Sequence, residues 1–190
     1  MLSRHAIEQA LESGQIVIRP FNPEQLNPNS YNVRLSPYLR TYARPPWYSP
    51  RRWGFCLDVK RKPAVEELRI GPEGVVLRPG RLYLASTEEY TEAHGLVPCL
   101  EGRSSLGRLG LFIHATAGFG DDGFCGHWTM ELSVVEPLRI YAGMQIGQLT
   151  FTPLTGARQP YQGKYQQQGL RPVESRIHQE YQQHAANRPA

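Results

Sequence analysis

Glycine and proline interrupt this chain so often that only short apolar segments remain between them. The 190 residues include 18 Gly and 16 Pro. Such frequent glycine and proline residues favour short strands joined by turns over a bundle of long helices. The length is enough for one hydrophobic core and too small for two comfortable ones. We therefore predict a single, mainly β domain spanning residues 1–190.

Positive charge is dispersed along the chain rather than gathered in one run. The net charge is +4 and the calculated pI is about 9.1. Basic groups occur at Arg51-Arg52 and 60–62, and again at Arg103 and Arg108. This pattern is compatible with a pocket for a polyphosphate and argues against a surface that coats nucleic acid. An ordinary solvated basic surface accounts for most of these charges.

The cysteines and the termini give little sign of secretion or of metal binding. Cys56, Cys99 and Cys125 lie far apart, so neither a disulfide framework nor a CxxC zinc motif is predicted. Residues 1–15 lack the apolar run of a signal peptide, and no segment approaches the roughly 20 apolar residues of a membrane span. We expect a cytoplasmic protein with no membrane partner.

Local sequence patterns predict several helices and strands on the N-terminal side of the segments that carry candidate catalytic residues. Residues 3–13 predict a short helix that Ser3 caps, and 16–18 predict a brief strand. Alternation in 31–35 predicts a second strand. Residues 74–80 and 81–85 resemble two strands joined at Pro79-Gly80. The Pro- and Arg-rich segment 43–63 is expected to be a long excursion.

Residues 101–110 predict a short helix with an anion site at its beginning. Arg103, Ser104 and Ser105 lie where free backbone N–H groups favour an anion, and Arg108 shares a face with Ser104. A capped surface helix with ordinary arginines explains the same residues. Taken alone, this segment slightly favours that simpler interpretation.

The segment 126–134 predicts a strand with one apolar face and one polar face. Trp128, Met130 and Leu132 alternate with Thr129 and Glu131. A carboxylate held on a strand in a partly dry pocket is suited to proton transfer. An exposed strand glutamate is the usual alternative.

Two further segments carry polar groups whose role the pattern leaves open. Asp121 or Asp122, in the Gly-rich turn 118–124, could accept a hydrogen bond from a sugar hydroxyl or simply form the turn. The segment 158–190 is expected to be a partly mobile tail, although it could also fold over a bound phosphate chain.

Several of these segments together resemble the dCTP deaminase family of the dUTPase superfamily. The matching stretches are PNSYNVRL (28–35), EGRSSLGRLGL (101–111), HATAGFGDDGFCGHWTMELS (114–133), YAGMQIGQLTF (141–151), PYQGKYQQQG (160–169) and SRIHQEY (175–181). The resemblance implies a distorted antiparallel β-barrel of the dUTPase-like (β-clip) type with a few short helices. It also implies a homotrimer whose sites lie between subunits.

The resemblance also implies roles for particular residues. Glu131 matches the deaminase glutamate, assisted by Ser104 and Arg108, and Asp121 matches an acid near the deoxyribose. The remaining implied substrate contacts lie on the 101–110 segment, Arg103, Ser104, Ser105 and Arg108, and on the closing tail, Tyr161, Lys164 and Gln168.

The implied reaction is hydrolytic deamination of dCTP to dUTP and ammonia. Glu131 would take a proton from the attacking water. No protein metal ligand is predicted, and a zinc mechanism is disfavoured because Pro98-Cys99 is not followed by a second Cys at the P-C-x-x-C spacing. Mg²⁺ is expected only with the triphosphate. Feedback by dTTP is left open.

Four alternatives remain, and the motifs depart from the family in places. Residues 116–119 resemble bifunctional enzymes that convert dCTP to dUMP and diphosphate at least as well as strict deaminases. A dUTPase without deaminase activity, a silent nucleotide-binding or protein-binding module and a nucleic-acid binder are less favoured. Gly120 and Asp122 replace an apolar residue and a proline, and Trp128 replaces a β-branched residue.

Overall fold

The computed structural model describes residues 1–45 and 56–186. Its α-helices are α1 (Arg4–Glu12), α2 (Ser104–Gly107) and α3 (His178–Ala186), and Pro23–Gln25 form one turn of 3₁₀ helix. Its strands are β1 (Ile16–Arg19), β2 (Tyr31–Tyr42), β3 (Val65–Arg69), β4 (Val75–Leu77), β5 (Tyr83–Ala93), β6 (Leu96–Gly102), β7 (Leu111–Phe112), β8 (Cys125–Val134), β9 (Leu138–Ile140) and β10 (Gln145–Pro153). Strands thus dominate the described residues, as predicted.

Helix α1 forms where its cap and apolar stripe predict it. The Ser3 hydroxyl accepts a hydrogen bond from the Ala6 N–H at 3.4 Å. Ile7 and Ala10 are buried against the sheet. Gly14 follows with φ +73°, a conformation that costs glycine little. The predicted helix is confirmed.

Eight strands form one antiparallel, nearly closed sheet. Its order is β6-β10-β2-β5-β8-β7, with β1 added to β5 and β3 added to β2. Strands β4 and β9 form a separate antiparallel pair. This arrangement confirms the mainly β, barrel-like antiparallel fold. No helix in the described ranges is long and apolar enough to cross a membrane.

Strand β8 follows the predicted alternation along its whole length. Trp128, Met130 and Leu132 are buried in the core. Thr129 and Glu131, on the opposite face, are only half-buried. The period of two therefore assigned both faces correctly, because one face of the strand covers the core and the other faces a cavity.

The expectations for 43–85 are met only in part. Residues 46–55 of the predicted excursion lie outside the described residues, and the strand β3 within 65–69 was not predicted. The two strands around Pro79-Gly80 are present as β4 and β5, but β4 pairs with β9 instead of β5. Local pattern marks strands, whereas pairing depends on distant parts of the chain.

The C-terminal segment lies against β8. Gln168 forms a parallel bridge with Gly126, and the His127 N–H donates to the Gln168 carbonyl at 3.0 Å. Further along, the Val173 N–H donates to the Thr129 hydroxyl at 3.2 Å. We call residues 158–182 the tail. Its partial mobility stays a prediction.

Candidate active site

Glu131 lies on the wall of a cavity of about 450 Å³. The polar face of β8 directs it there together with Thr129. The other lining residues come from the end of β2, the start of β5 and the residue before it, the 117–124 turn, the indole of β8 and the tail: Tyr42, Leu82, Leu84, Ala117, Phe119, Gly120, Asp121, Phe124, Trp128, Tyr161, Tyr165, Gln168, Val173 and Ser175. A carboxylate thus faces a largely apolar and aromatic chamber.

Burial sets the protonation behaviour of Glu131. Desolvation raises the pKa of its carboxyl group, and two smaller effects oppose it: the nearby charge of His114 and a hydrogen bond from the Ala115 backbone N–H. The Glu131 N–H donates to the Ile113 carbonyl at 2.8 Å, which holds this segment beside the carboxylate. A raised carboxyl pKa suits a group that both accepts and returns a proton near neutral pH.

Three aromatic rings form one wall of the cavity. The Phe124 ring centroid lies 5.1 Å from that of Trp128 and 6.2 Å from that of Tyr161. The Trp128 indole N–H donates to the Thr91 hydroxyl at 2.9 Å, so its polar edge is satisfied although the side chain is buried. The wall links β8 to the tail through direct ring contacts.

Gly120 and Trp128, two of the departures noted in the motif, are neighbours in space. A Cβ atom at residue 120 would lie 2.3 Å from Trp128 Cη2 and 3.1 Å from Pro98 Cγ. The indole therefore occupies the space that a side chain at 120 would need. The missing side chain and the large ring compensate for each other.

The two adjacent acids of the turn have separate roles. Asp122 is buried; its carboxylate accepts a hydrogen bond from the Gly95 N–H at 2.5 Å and pairs with the Arg158 guanidinium at 2.9 and 3.0 Å. The Arg158 hydrogen bond, followed by that of Gly95, keeps the pKa of Asp122 below its usual value despite burial. Asp121 is exposed and lines the cavity. Asp122 thus fixes the turn and the tail, and Asp121 is the acid that faces the cavity.

The predicted closing residues divide into two groups. Tyr161 and Gln168 line the cavity, and the Gln168 side chain accepts a hydrogen bond from the Thr129 hydroxyl at 2.5 Å. Lys164 does not line it, because its ammonium pairs with Glu180 of α3. The structure therefore places two of the three predicted tail residues at the cavity.

Only Ser104–Gly107 of the predicted 101–110 helix are helical, as α2, and this segment does not line the cavity of the same chain. Ser104, Ser105 and Arg108 are exposed. Arg103 is half-buried and donates to the Gln145 carbonyl at 3.3 Å. A single chain thus brings Glu131, Asp121, Tyr161 and Gln168 together and leaves the α2 residues on its surface.

Residues 1–154 match the family model described as dCTP deaminase-like. This match covers both the α2 segment and the whole of β8. The chain belongs to the dCTP deaminase-like family. A relative named "dCTP deaminase, dUMP-forming" from Leptospira biflexa is 50% identical over 159 residues, covering 83% of this chain and 86% of its own length. A relative of the same name from Cytophaga hutchinsonii is 47% identical over 174 residues, covering 90% and 94%.

A solved deaminase supports the fold of this dCTP deaminase-like chain. The 2'-deoxycytidine 5'-triphosphate deaminase from Agrobacterium tumefaciens superposes with a TM-score of 0.60 at 20% identity, covering 79% of this chain. The chain spans about half the length of that protein, 47%. At this identity the similarity concerns the fold.

Sequence reasoning missed the cavity residues that come from other parts of this dCTP deaminase-like chain. Tyr42 ends β2, Leu84 lies in β5, and Val173 and Ser175 belong to the tail. The Tyr42 hydroxyl accepts a hydrogen bond from the Ser175 N–H at 3.4 Å. None of these residues belongs to a sequence motif that suggests catalysis or ligand binding. Thr129 is different, because its place beside Glu131 on the polar face was visible from the alternation.

Proposed function

We propose that this chain converts dCTP to dUMP, ammonia and diphosphate. The observation that carries the proposal is the half-buried Glu131 carboxylate on the wall of an aromatic cavity, within a sequence about 50% identical to relatives named as dUMP-forming. The sequence motifs alone favoured dUTP as the final product and kept dUMP as the alternative. The names of the relatives favour that alternative.

In the proposed deamination, Glu131 acts as the proton carrier. Its carboxylate takes a proton from the water whose oxygen bonds to C4 of cytosine and passes it to N3. It then takes the proton of the new C4 hydroxyl group and passes it to the amino nitrogen, as the C4=O bond forms. The C4–N bond then breaks and ammonia leaves. A second water then hydrolyses the triphosphate, giving dUMP and diphosphate.

We propose that a neighbouring copy completes the site with its α2 segment. Ser104 and Arg108 have the chemistry to position water and stabilise negative charge, but in their own chain they face outward. Large apolar side chains near α2 are also exposed, Leu109 by 57% and Phe112 by 56%. An exposed apolar surface of this kind is typical of a contact between subunits. The proposed assembly is a homotrimer with Arg103, Ser104, Ser105 and Arg108 entering the next cavity.

The tail is proposed to close over the triphosphate. Tyr161 and Gln168 already line the cavity. Lys164 would have to leave Glu180 to meet a phosphate, so substrate binding would exchange one ion pair for another. Mg²⁺ is proposed to enter with the triphosphate and to offset its charge. Asp121 is proposed to accept a hydrogen bond from the sugar.

Product analysis tests the activity directly. The purified protein is incubated with dCTP and Mg²⁺, and the nucleotides are separated by anion-exchange chromatography while diphosphate is measured. We expect dUMP and diphosphate in equal amounts. Accumulation of dUTP without diphosphate would contradict the dUMP-forming step and leave a deaminase. Unchanged dCTP would contradict the proposed activity altogether.

A matched pair of arginine variants tests the contribution of α2. Arg108→Gln removes a charge from the proposed shared site, whereas Arg139→Gln removes an exposed charge that donates to the Glu73 carbonyl. We expect dCTP turnover to fall by about 100-fold or more in the first variant, as for loss of one preorganised charge-stabilising group. The second variant should retain turnover. Equal activities in both would contradict the role of Arg108.

A further inference from the structure

We propose that Glu92, His94 and Cys125 bind one Zn²⁺ ion outside the Glu131 cavity, where the ion holds the docked tail in place. The carboxylate, imidazole and thiol atoms of the three residues all lie within 4.8 Å of one another. None of the three lines the cavity. The ion would brace the tail through three protein ligands, and the proposed deamination would still depend on Glu131.

The sheet register brings these three side chains to one place. Glu92 near the end of β5 is the direct partner of Cys125 at the start of β8. His94 follows two residues after Glu92, in the bend just beyond the end of β5. The His94 Nε2 atom lies 2.9 Å from a Glu92 carboxylate oxygen. Backbone pairing, and not side-chain flexibility alone, therefore fixes the cluster.

The ligand chemistry favours zinc over the magnesium that accompanies the substrate. Thiolate sulfur, imidazole nitrogen and carboxylate oxygen are the usual zinc ligands, whereas Mg²⁺ prefers oxygen ligands and octahedral geometry. Ligand atoms around a tetrahedral zinc ion lie about 3.5 Å apart, so the side chains need to adjust by only about 1 Å. On binding, the ion replaces the hydrogen bond between His94 and Glu92, and the thiol proton goes to solvent. The fourth position would hold water.

The three ligands lie next to residues that hold the tail, so an ion bound to them would stabilise the docked tail. The Cys125 N–H donates to the Gln166 side chain and the Cys125 carbonyl accepts from the Gln167 N–H, both at 2.9 Å. The Gly95 N–H, next to His94 in the chain, donates to Asp122, which in turn pairs with Arg158 of the tail. An ion that joins His94 to Cys125 therefore braces both attachments of the tail.

A protein with a single cysteine provides the cleanest test. The chain has three cysteines, and the double variant Cys56→Ser/Cys99→Ser leaves only Cys125. Co²⁺ is titrated into this protein as a spectroscopic substitute for Zn²⁺, and thiolate-to-cobalt charge transfer is followed in the near ultraviolet. We expect a band that saturates at one ion per chain and disappears when Zn²⁺ is added. Excess Mg²⁺ should leave it unchanged.

Variants in the same background identify the ligands. Adding Cys125→Ser should abolish the band, and His94→Gln should weaken Co²⁺ binding by about tenfold or more. Zn²⁺ should slow proteolytic cleavage within the tail of the single-cysteine protein and have no effect after His94→Gln. If Cys125→Ser does not fold, the His94→Gln comparison decides. No charge-transfer band, or equal affinity with and without His94, would overturn the proposal. Both readouts are independent of dCTP turnover, so they separate this site from the proposed activity.

Discussion

Replacing Gly120 by alanine should create a steric conflict whose cost the structure allows us to estimate. The new Cβ would lie 2.3 Å from Trp128 Cη2, well inside contact distance. The indole cannot simply rotate away, because its N–H is bonded to Thr91 at 2.9 Å and Trp128 as a residue is only 7% exposed. Inserting an atom into such packing costs about 1–3 kcal/mol. We therefore expect Gly120→Ala to lower the free energy of unfolding by that amount.

Urea unfolding followed by circular dichroism measures this effect. All variants are compared at one protein concentration, because association shifts apparent stability. Gly107→Ala is the matched control: nothing lies within 4 Å of a Cβ at this position of α2, and alanine is the better helix former by about 1 kcal/mol. The control should be neutral or stabilising.

A double-mutant cycle with Trp128→Leu tests whether the two residues compensate for each other. The smaller leucine vacates the space beside residue 120, so Gly120→Ala should cost about 1–2 kcal/mol less in that background. Since Gly120 and Trp128 both line the cavity, the single variant should also raise the KM for dCTP. An undisturbed stability after Gly120→Ala, or strict additivity in the double variant, would refute the reasoning.

Four further predictions follow from the charges and contacts around the cavity. Desolvation raises the pKa of Glu131 above its usual value of 4.5. Because the reaction needs the ionised carboxylate, kcat/KM for dCTP should fall as the pH drops through this raised pKa. A pH–rate profile whose acid limb lies at or below 4.5 would contradict this prediction. The Arg158 partner keeps the folded pKa of Asp122 below 3.8, so its stabilisation is complete above that value and is lost as pH falls through the folded pKa. Limited proteolysis of the tail should therefore accelerate in acid for the wild type, whereas the Arg158→Gln variant should already be cleaved faster than the wild type at neutral pH. Equal cleavage rates of the two proteins at neutral pH would contradict the role of the Asp122–Arg158 ion pair in holding the tail. Mixing Ser104→Ala chains with Glu131→Gln chains should restore dCTP turnover if sites are shared between subunits, and a mixture as inactive as its components would argue against sharing. Deleting residues 158–190 should weaken triphosphate binding measured by calorimetry, and unchanged affinity would rule out the closing role.

The sequence predicted those parts of the molecule that depend on local pattern. The two faces of β8 and the cap of α1 each follow from periodicity or capping within a few residues. The same alternation places Glu131 on the polar face of β8, opposite the core.

The parts that the sequence could not supply depend on contacts between distant residues. Tyr42 and Val173 join the cavity only because β2 and the tail meet beside β8. The Lys164–Glu180 pair depends on where α3 lies, and the β4–β9 pairing depends on the closure of the sheet. Gly120 was visible as a departure from the motif, but its reason required the position of the Trp128 ring.

The most direct test of the central claim compares Glu131→Gln with the wild type in ammonia release from dCTP. Ser133→Ala, a change two residues away on the same face of β8, is the matched control. We predict that Glu131→Gln binds dCTP with nearly unchanged affinity and releases ammonia about 100- to 10,000-fold more slowly, as expected for loss of a general acid–base group. The control should retain full turnover. Ammonia release by Glu131→Gln at the wild-type rate would contradict the assignment of Glu131 as the proton carrier.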